Sequence, residues 1–212
     1  MALGEDTLNN SSLKLGLDGL SVVYGCVGWI NSNIKRNYWE NERVRKVFAR
    51  RSANLIKDDG DVFFMNPCLD YVLLAKDFLG SRSMDSGIVA QEVFSKKYDI
   101  YHMHFALEFL VKGRKYFVDF AKMNTVYLGK GDFVNFNEDV RVVQTFRIWE
   151  PVDPDKDIFE NFPEYVAKLK HYSIDVQIDR MLKDNSKERF DSFLQSLGKN
   201  KSLRLVRVPD DL

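Results

Sequence analysis

Three side chains in the sequence have the types that nucleophilic catalysis requires: Cys68, His104 and Asp119. A catalytic cysteine reacts as its thiolate, with an imidazole nearby to take the proton and a third group to fix the orientation of that imidazole. His104 follows Cys68 by 36 residues, and Asp119 follows His104 by 15. The three residues therefore form a candidate set for cysteine-dependent acyl transfer.

Cys68 lies at the predicted start of a helix. Asn66 is a favourable N-cap residue, Pro67 suits the first helical position, and Gly80 suits the C-terminal cap. Cys68 then lies in the first turn. There the helix dipole and the free N–H groups favour a thiolate and can hold a developing oxyanion.

His104 and Asp119 lie on neighbouring predicted strands, with a hairpin turn between them at Lys112-Gly113-Arg114. A turn centred there pairs residues whose numbers add up to about 225. Asp119 is therefore expected opposite or diagonal to His104 and Ala106, within reach of the imidazole ring. The other face of the His104 strand is predicted to face the core, and it carries Met103, Phe105, Leu107 and Phe109.

The remaining cysteine and histidines have simpler interpretations. Cys26 lies in an apolar stretch and is interpreted as a core residue, and both cysteines are predicted to be free thiols. His102 is expected beside the site rather than in it, and His171 is expected to be exposed on a helix. A metal site that combines His102 and His104 with Glu108 or Asp119 is a weaker alternative, because no CxxC or HExxH spacing supports it.

The periodicity of the chain predicts an α+β fold of N-terminal helices packed on an antiparallel sheet, followed by a helical C-terminal extension. We expect a flexible N-terminus over 1–16, a core domain over 17–150, and an extension over 151–212 that packs on the same core. The predicted helices are 17–34, 41–56, 66–80, 163–183 and 187–197. The predicted strands are 88–95, 101–111, 116–120, 126–128, 141–150 and 202–208.

The composition argues against nucleic-acid binding and against a membrane-spanning helix. The 212 residues carry 31 basic and 31 acidic side chains, so the zero net charge offers no field to recruit nucleic acid. The longest uncharged apolar run, residues 20–30, has 11 residues, whereas a membrane-spanning helix needs about 20. The N-terminus lacks the features of a signal peptide, which predicts a cytoplasmic protein without a membrane partner.

The segments around these three residues resemble the core of the transglutaminase-like superfamily, which has a papain-like α+β arrangement. The resemblance covers roughly residues 40–122 and is carried by Pro67-Cys68-Leu69-Asp70-Tyr71 through Leu79-Gly80, His104-Phe105-Ala106-Leu107-Glu108, Gly113 and Tyr116-Phe117-Val118-Asp119. It implies Cys68 as nucleophile, His104 as general base and then acid, and Asp119 as the group that orients His104. The chain departs from the family pattern at Met65-Asn66-Pro67, at Ala106 and at Phe120-Ala121.

The resemblance implies an enzyme that forms a thioester on Cys68 from a peptide or protein amide, with no metal or organic cofactor. Water or an amine would resolve the thioester. The second donor to the oxyanion could come from Asn66 or from a residue between Trp29 and Trp39. The alternative is an inactive fold of this type that binds a protein partner through a basic helix face, comprising Arg43, Arg45, Lys46, Arg50 and Arg51.

Overall fold

The computed structural model describes residues 9–122, 125–134, 139–197 and 204–207, without the side chains of 9–18, 121 and 122. It confirms a mixed α+β architecture with a mostly antiparallel sheet. The described helices are α1 (Asn9–Asn33), α2 (Asn41–Val47), α3 (Ala53–Asp59), α4 (Cys68–Gly80), α5 (Ile158–Asn161), α6 (Pro163–Val166), α7 (Ile174–Asp184) and α8 (Lys187–Ser196). The described strands are β1 (Lys35–Asn37), β2 (Asp61–Phe63), β3 (Ser86–Ser95), β4 (Ile100–Val111), β5 (Arg114–Lys122), β6 (Thr125–Lys130), β7 (Val140–Ile148) and β8 (Arg204–Arg207).

Six strands form one sheet in the order β7-β3-β4-β5-β6-β8, and all neighbours are antiparallel except β6 and β8. The β4–β5 hairpin has the predicted register, with Ala106 opposite Asp119. Its turn residues Lys112 and Gly113 have φ angles of 52° and 71°, the combination of a tight hairpin turn. The short strands β1 and β2 form a separate parallel pair.

The main core lies between the helices and one face of this sheet. Met103, Phe105, Leu107 and Phe109 are all buried in it, as the alternation of β4 predicts. Helix α4 is buried along most of its length and contacts β3, β4 and β5. Ile158, Phe162, Ile178 and Met181 of the C-terminal segment belong to the same buried cluster.

The N-terminal half departs from the sequence prediction in two places. Residues 9–16, which precede the helix predicted over 17–34, are the first turns of α1. Gly19 allows that helix to lie close to β4, because a Cβ there would come within 2.8 Å of the Val111 side chain. The single helix predicted over 41–56 is wrong: α2 and α3 are separate, and Ala49 between them has a φ of 57°.

The ends of α4 and the helix predicted over 163–183 also differ from the sequence prediction. Helix α4 begins at Cys68 with Pro67 as the N-cap residue, so Asn66 is not the cap and Pro67 is not in the first turn. Gly80 is the last helical residue and Ser81 is the C-cap. The helix predicted over 163–183 is interrupted between α6 and α7, because the backbone there bonds to a buried glutamate described below.

Candidate active site

The site lies where β4 and β5 separate. The paired residues of these strands run from Val111–Arg114 to Ala106–Asp119, so residues 100–105 of β4 are not paired with β5. His104 lies in this segment, two residues beyond the last pair. Its ring can therefore reach past the edge of β4 to the start of α4, which packs against the same strands.

His104 contacts the other two candidate residues. Its Nε2 lies 3.0 Å from Asp119 Oδ1, and only 14% and 13% of the two side chains are exposed. Oδ1 accepts no hydrogen bond of favourable angle, so this contact is a close ion pair. Burial alone would lower the pKa of His104, but polar contacts with Asp119 and Cys68 raise it to about 10. The structure thus brings Cys68, His104 and Asp119 together.

The surroundings of Cys68 suit an attacking sulfur. The residue is 5% exposed and starts α4, so the unpaired N–H groups of the first turn lie around it. The Cys68 thiol donates to Asn66 Oδ1 over 3.2 Å. Since an amide can present nitrogen instead of oxygen, Asn66 could donate to a negative charge at the same place. Of the two sources considered for a second oxyanion donor, Asn66 is the one this contact favours.

Comparisons with protein-family models, curated proteins and solved structures found no match for the chain. Inferences about function therefore depend on the geometry of its own residues.

Sequence reasoning missed Tyr172, which lies between α6 and α7. Burial raises the pKa of its phenol, and the negative charge of Cys68 raises it further. Nothing local in the sequence could have indicated this, because Tyr172 follows Cys68 by more than a hundred residues. The C-terminal segment thus contributes to the surroundings of the candidate nucleophile.

Glu92 on β3 holds this segment in place. Its side chain is completely buried, and its Oε1 accepts the backbone N–H groups of His171 and Tyr172, each over 2.7 Å. Gln144 Nε2 donates to Oε2 over 2.7 Å. These bonds use backbone N–H groups that a continuous helix would bond internally, which explains why the predicted helix is interrupted. His171 is exposed as expected, but it lies in a turn rather than on a helix.

Behind the nucleophile, a buried ion pair anchors the first turn of α4. Arg51 Nη2 donates to Asp70 Oδ2 over 2.6 Å, and the two side chains are 3% and 8% exposed. Arg51 Nη1 also donates to Asp59 Oδ2 and to the carbonyl of Asp61. Burial raises the pKa of Asp70, and the guanidinium of Arg51 opposes that rise.

This pair changes the interpretation of the basic helix face. Arg51 is enclosed in the protein and cannot contact a partner. Arg43 lies 2.8 Å from Asp61, and Arg45 lies 2.7 Å from Asp179. Arg43 and Arg45 thus pair with carboxylates of the chain itself, and the exposed Arg50 lies 3.6 Å from Asp175.

The alternative metal set is not assembled. Glu108 is fully buried and accepts from Phe133 N–H and Arg147 Nε, each over 3.1 Å, while His104 contacts Asp119. The described residues contain no group of three His, Cys, Asp or Glu that could hold a metal ion. Among the same residues, no helix is long and apolar enough to cross a membrane. Cys26 and Cys68 are both free and buried.

We expect the two histidines of β4 to differ in charge at pH 6.5, with His104 protonated and His102 neutral. The pKa of His104 is raised to about 10, whereas burial, Arg180 and His104 lower that of His102 to about 4. NMR titration of the imidazole carbons should show one histidine still protonated above pH 8 and the other neutral down to about pH 4. In Asp119→Asn the high value should fall. A His104 that titrates near its ordinary 6.5 would contradict the ion pair.

The raised pKa of His104 also predicts how the stability of the fold changes with pH. A group whose folded pKa exceeds its unfolded value stabilises the fold fully below the unfolded value, here about 6.5, and loses that effect as the pH rises through the folded value. The contribution of His104 should therefore decline between pH 6.5 and about 10. Urea unfolding of wild type and His104→Gln should give free energies whose difference shrinks over that interval.

Proposed function

We propose that the protein is a cysteine-dependent acyl-transfer enzyme of the transglutaminase-like type. The observation that carries the proposal is that one imidazole, His104, contacts both a carboxylate, Asp119, and a thiol at a helix start, Cys68. This is the arrangement that thiol nucleophiles use in unrelated folds. The order of helix cysteine, strand histidine and next-strand aspartate supports the assignment.

In the proposed reaction the Cys68 thiolate attacks the carbonyl carbon of an amide. The N–H of Cys68 and the Asn66 amide stabilise the oxyanion. As the C–N bond breaks, protonated His104 gives its proton to the leaving amine, and a thioester remains on the sulfur. Asp119 holds Nε2 of the ring, which leaves Nδ1 for this proton. His104 then takes a proton from water, which attacks the thioester and releases a carboxylic acid.

Hydrolysis of a peptide or protein amide is the favoured outcome, and an amine in place of water would give transfer. Neither route needs a metal or an organic cofactor, because the thiol, the imidazole and the carboxylate supply the nucleophile and the proton transfer.

The first test is the alkylation of Cys68 by iodoacetamide at pH 6, followed by mass spectrometry. A thiol that shares its proton with His104 should label at least about tenfold faster in wild type than in His104→Ala. Burial raises the pKa of Cys26 to about 12, so Cys26 should remain unlabelled and serves as an internal reference.

His171→Ala is the matched control, because it removes an exposed histidine that takes no part in the site. It should label like wild type. If Cys68 is inert at pH 6, or labels equally in His104→Ala, the proposed Cys–His pair is wrong.

A further inference from the structure

A pocket of about 390 Å³ lies at the C-terminal end of α4. Its walls come from the last turns of α4, from the start of β3 and from the chain just after β7. The volume is within the range of about 300–1,000 Å³ that is typical of small-molecule sites. Lys76, which lines the pocket, follows Cys68 by eight residues. That spacing corresponds to about 12 Å along the helix, so the pocket is separate from the candidate active site.

The amine of Lys76 is buried in the wall of this pocket, and only 5% of the residue is exposed. Its Nζ donates to the carbonyl of Ser86 over 2.5 Å and to that of Trp149 over 3.4 Å, and both of these residues also line the pocket. An ammonium group carries three donors, so one N–H is available to a ligand.

Lys76 has no counter-ion in the part of the chain that the structure describes. The charges of Asp85 and Glu150 act on it, but neither carboxylate forms an ion pair with it. Burial lowers the pKa of Lys76, and these two charges oppose that change. Because buried lysines are almost always paired, the carboxylate of a ligand would supply the charge that Lys76 lacks.

The pocket wall also contains two carboxylates, and they differ in their contacts. Asp77 Oδ2 accepts from Lys57 Nζ over 2.6 Å, so its charge is already neutralised. Asp85 is exposed, and it forms no hydrogen bond or ion pair with any described residue. The pocket therefore combines an ammonium and a carboxylate that are not paired with each other.

One wall of the pocket is apolar. The ring of Trp149 packs directly over Gly87, where a Cβ would come within 2.8 Å of the ring, so the glycine is what allows this packing. Met84, Pro151 and Val152 complete the apolar lining. An aromatic ring of a ligand could be buried against these side chains.

We propose that this pocket binds a free α-amino acid with a large apolar side chain, whose carboxylate contacts Lys76 and whose ammonium group contacts Asp85. The side chain lies against Trp149. A ligand with only a negative charge would leave Asp85 unpaired, and one with only a positive charge would leave Lys76 unpaired. The proposal does not depend on the function proposed for Cys68.

Three ligands that share a phenyl ring test the two charges separately: L-phenylalanine, 3-phenylpropionate without the ammonium group, and phenethylamine without the carboxylate. Dissociation constants would be measured at pH 7 from NMR shifts of the Trp149 indole N–H, assigned with Trp149→Phe. L-Phenylalanine should bind at least about tenfold more tightly than phenethylamine, since the carboxylate contacts a buried charge. Its advantage over 3-phenylpropionate should be about threefold, because Asp85 is exposed.

Two variants assign these differences to the residues. Lys76→Met keeps the length of the side chain and should reduce the affinity for L-phenylalanine to that for phenethylamine. Lys46→Met is its matched control, because Lys46 is exposed on α2 and does not line the pocket. Asp85→Asn should remove the advantage over 3-phenylpropionate. Asp191→Asn, at an exposed position of α8, should leave every affinity unchanged.

Several results would overturn the proposal. One is a Trp149 signal that L-phenylalanine does not move up to its solubility limit, and another is equal affinity of wild type for L-phenylalanine and phenethylamine. If 3-phenylpropionate binds as tightly as L-phenylalanine, the pocket is a site for simple carboxylates instead. The ligand comparison and Asp85→Asn, an exposed substitution, decide the matter even if Lys76→Met does not fold. Alkylation of Cys68 should be the same in Lys76→Met as in wild type, which keeps this test separate from that of the Cys–His pair.

Discussion

Cys68→Ala is expected to abolish amide cleavage by this protein. Without the sulfur no thioester can form, and what remains is the smaller effect of binding and oxyanion stabilisation. The measurement is the release of 4-nitroaniline from the N-acetyl aliphatic amino-acid 4-nitroanilide that wild type cleaves fastest. We expect kcat/KM to fall by at least about 10³-fold, the range seen when members of a catalytic triad are removed.

His104→Ala should cause a loss of similar size, because a thiol without its base is rarely ionised near neutral pH. Asp119→Asn keeps the shape of the side chain but removes the charge beside His104 Nε2, and should cost up to about 10⁴-fold. Asp132→Asn is the control for the latter: Asp132 is an exposed aspartate paired with Lys115, and activity should be unchanged.

The losses of kcat/KM in Cys68→Ala, His104→Ala and Asp119→Asn should not multiply when the substitutions are combined. Residues that act as one unit are non-additive, so Cys68→Ala combined with His104→Ala should be no slower than Cys68→Ala alone. Cleavage that persists in Cys68→Ala, or losses that multiply in the double variant, would show that these residues do not form one catalytic group.

Local signals in the sequence predict the parts of this site that adjoin a short connection. The turn at Lys112 and Gly113 fixes the register of β4 and β5, and the register places Asp119 diagonal to His104. A helix start at Cys68 can be predicted from the neighbouring proline and the apolar spacing that follows. In both cases, residues close in sequence determine the geometry.

The features that sequence reasoning missed depend on contacts between distant residues. The helix predicted over 163–183 is interrupted because Glu92, about 80 residues earlier, accepts the N–H groups of His171 and Tyr172. Helical spacing continues through these residues, so periodicity could not reveal the break. The packing of this interrupted segment on the sheet, which buries Ile158, Phe162 and Ile178, could not be predicted either.

The same argument applies to residues 41–56, where helical spacing again misled. Arg51 looked like part of a solvated basic face, yet its guanidinium is buried against Asp70 and lies 4.5 Å from the Trp39 ring centroid. A single helix would keep Arg51 on the surface. The turn at Ala49 instead directs the chain inward, where the buried Asp70 carboxylate, Asp59 and the Asp61 carbonyl accept from the guanidinium.

Arg51→Ala should therefore be among the most destabilising single substitutions in the described part of the chain. It leaves the buried Asp70 carboxylate without its cation, and breaking a buried ion pair from one side costs about 3–5 kcal/mol of unfolding free energy. Arg45→Ala is the matched control, because Arg45 and Asp179 are both 59% exposed and such pairs contribute about 0–1 kcal/mol. Urea unfolding at pH 7 would measure both losses.

Two further results would show whether Arg51→Ala destabilises the fold through the unpaired charge of Asp70 or only through lost side-chain packing. Arg51→Met combined with Asp70→Leu removes both charges and should recover much of the stability that Arg51→Ala loses. The loss in Arg51→Ala should also shrink as the pH falls. Burial already raises the pKa of Asp70, and without Arg51 the rise is larger, so the folded state gains stability by binding a proton at acidic pH. A loss no larger than that of Arg45→Ala, or one equal at pH 5 and pH 7, would show that this ion pair does not anchor the first turn of α4.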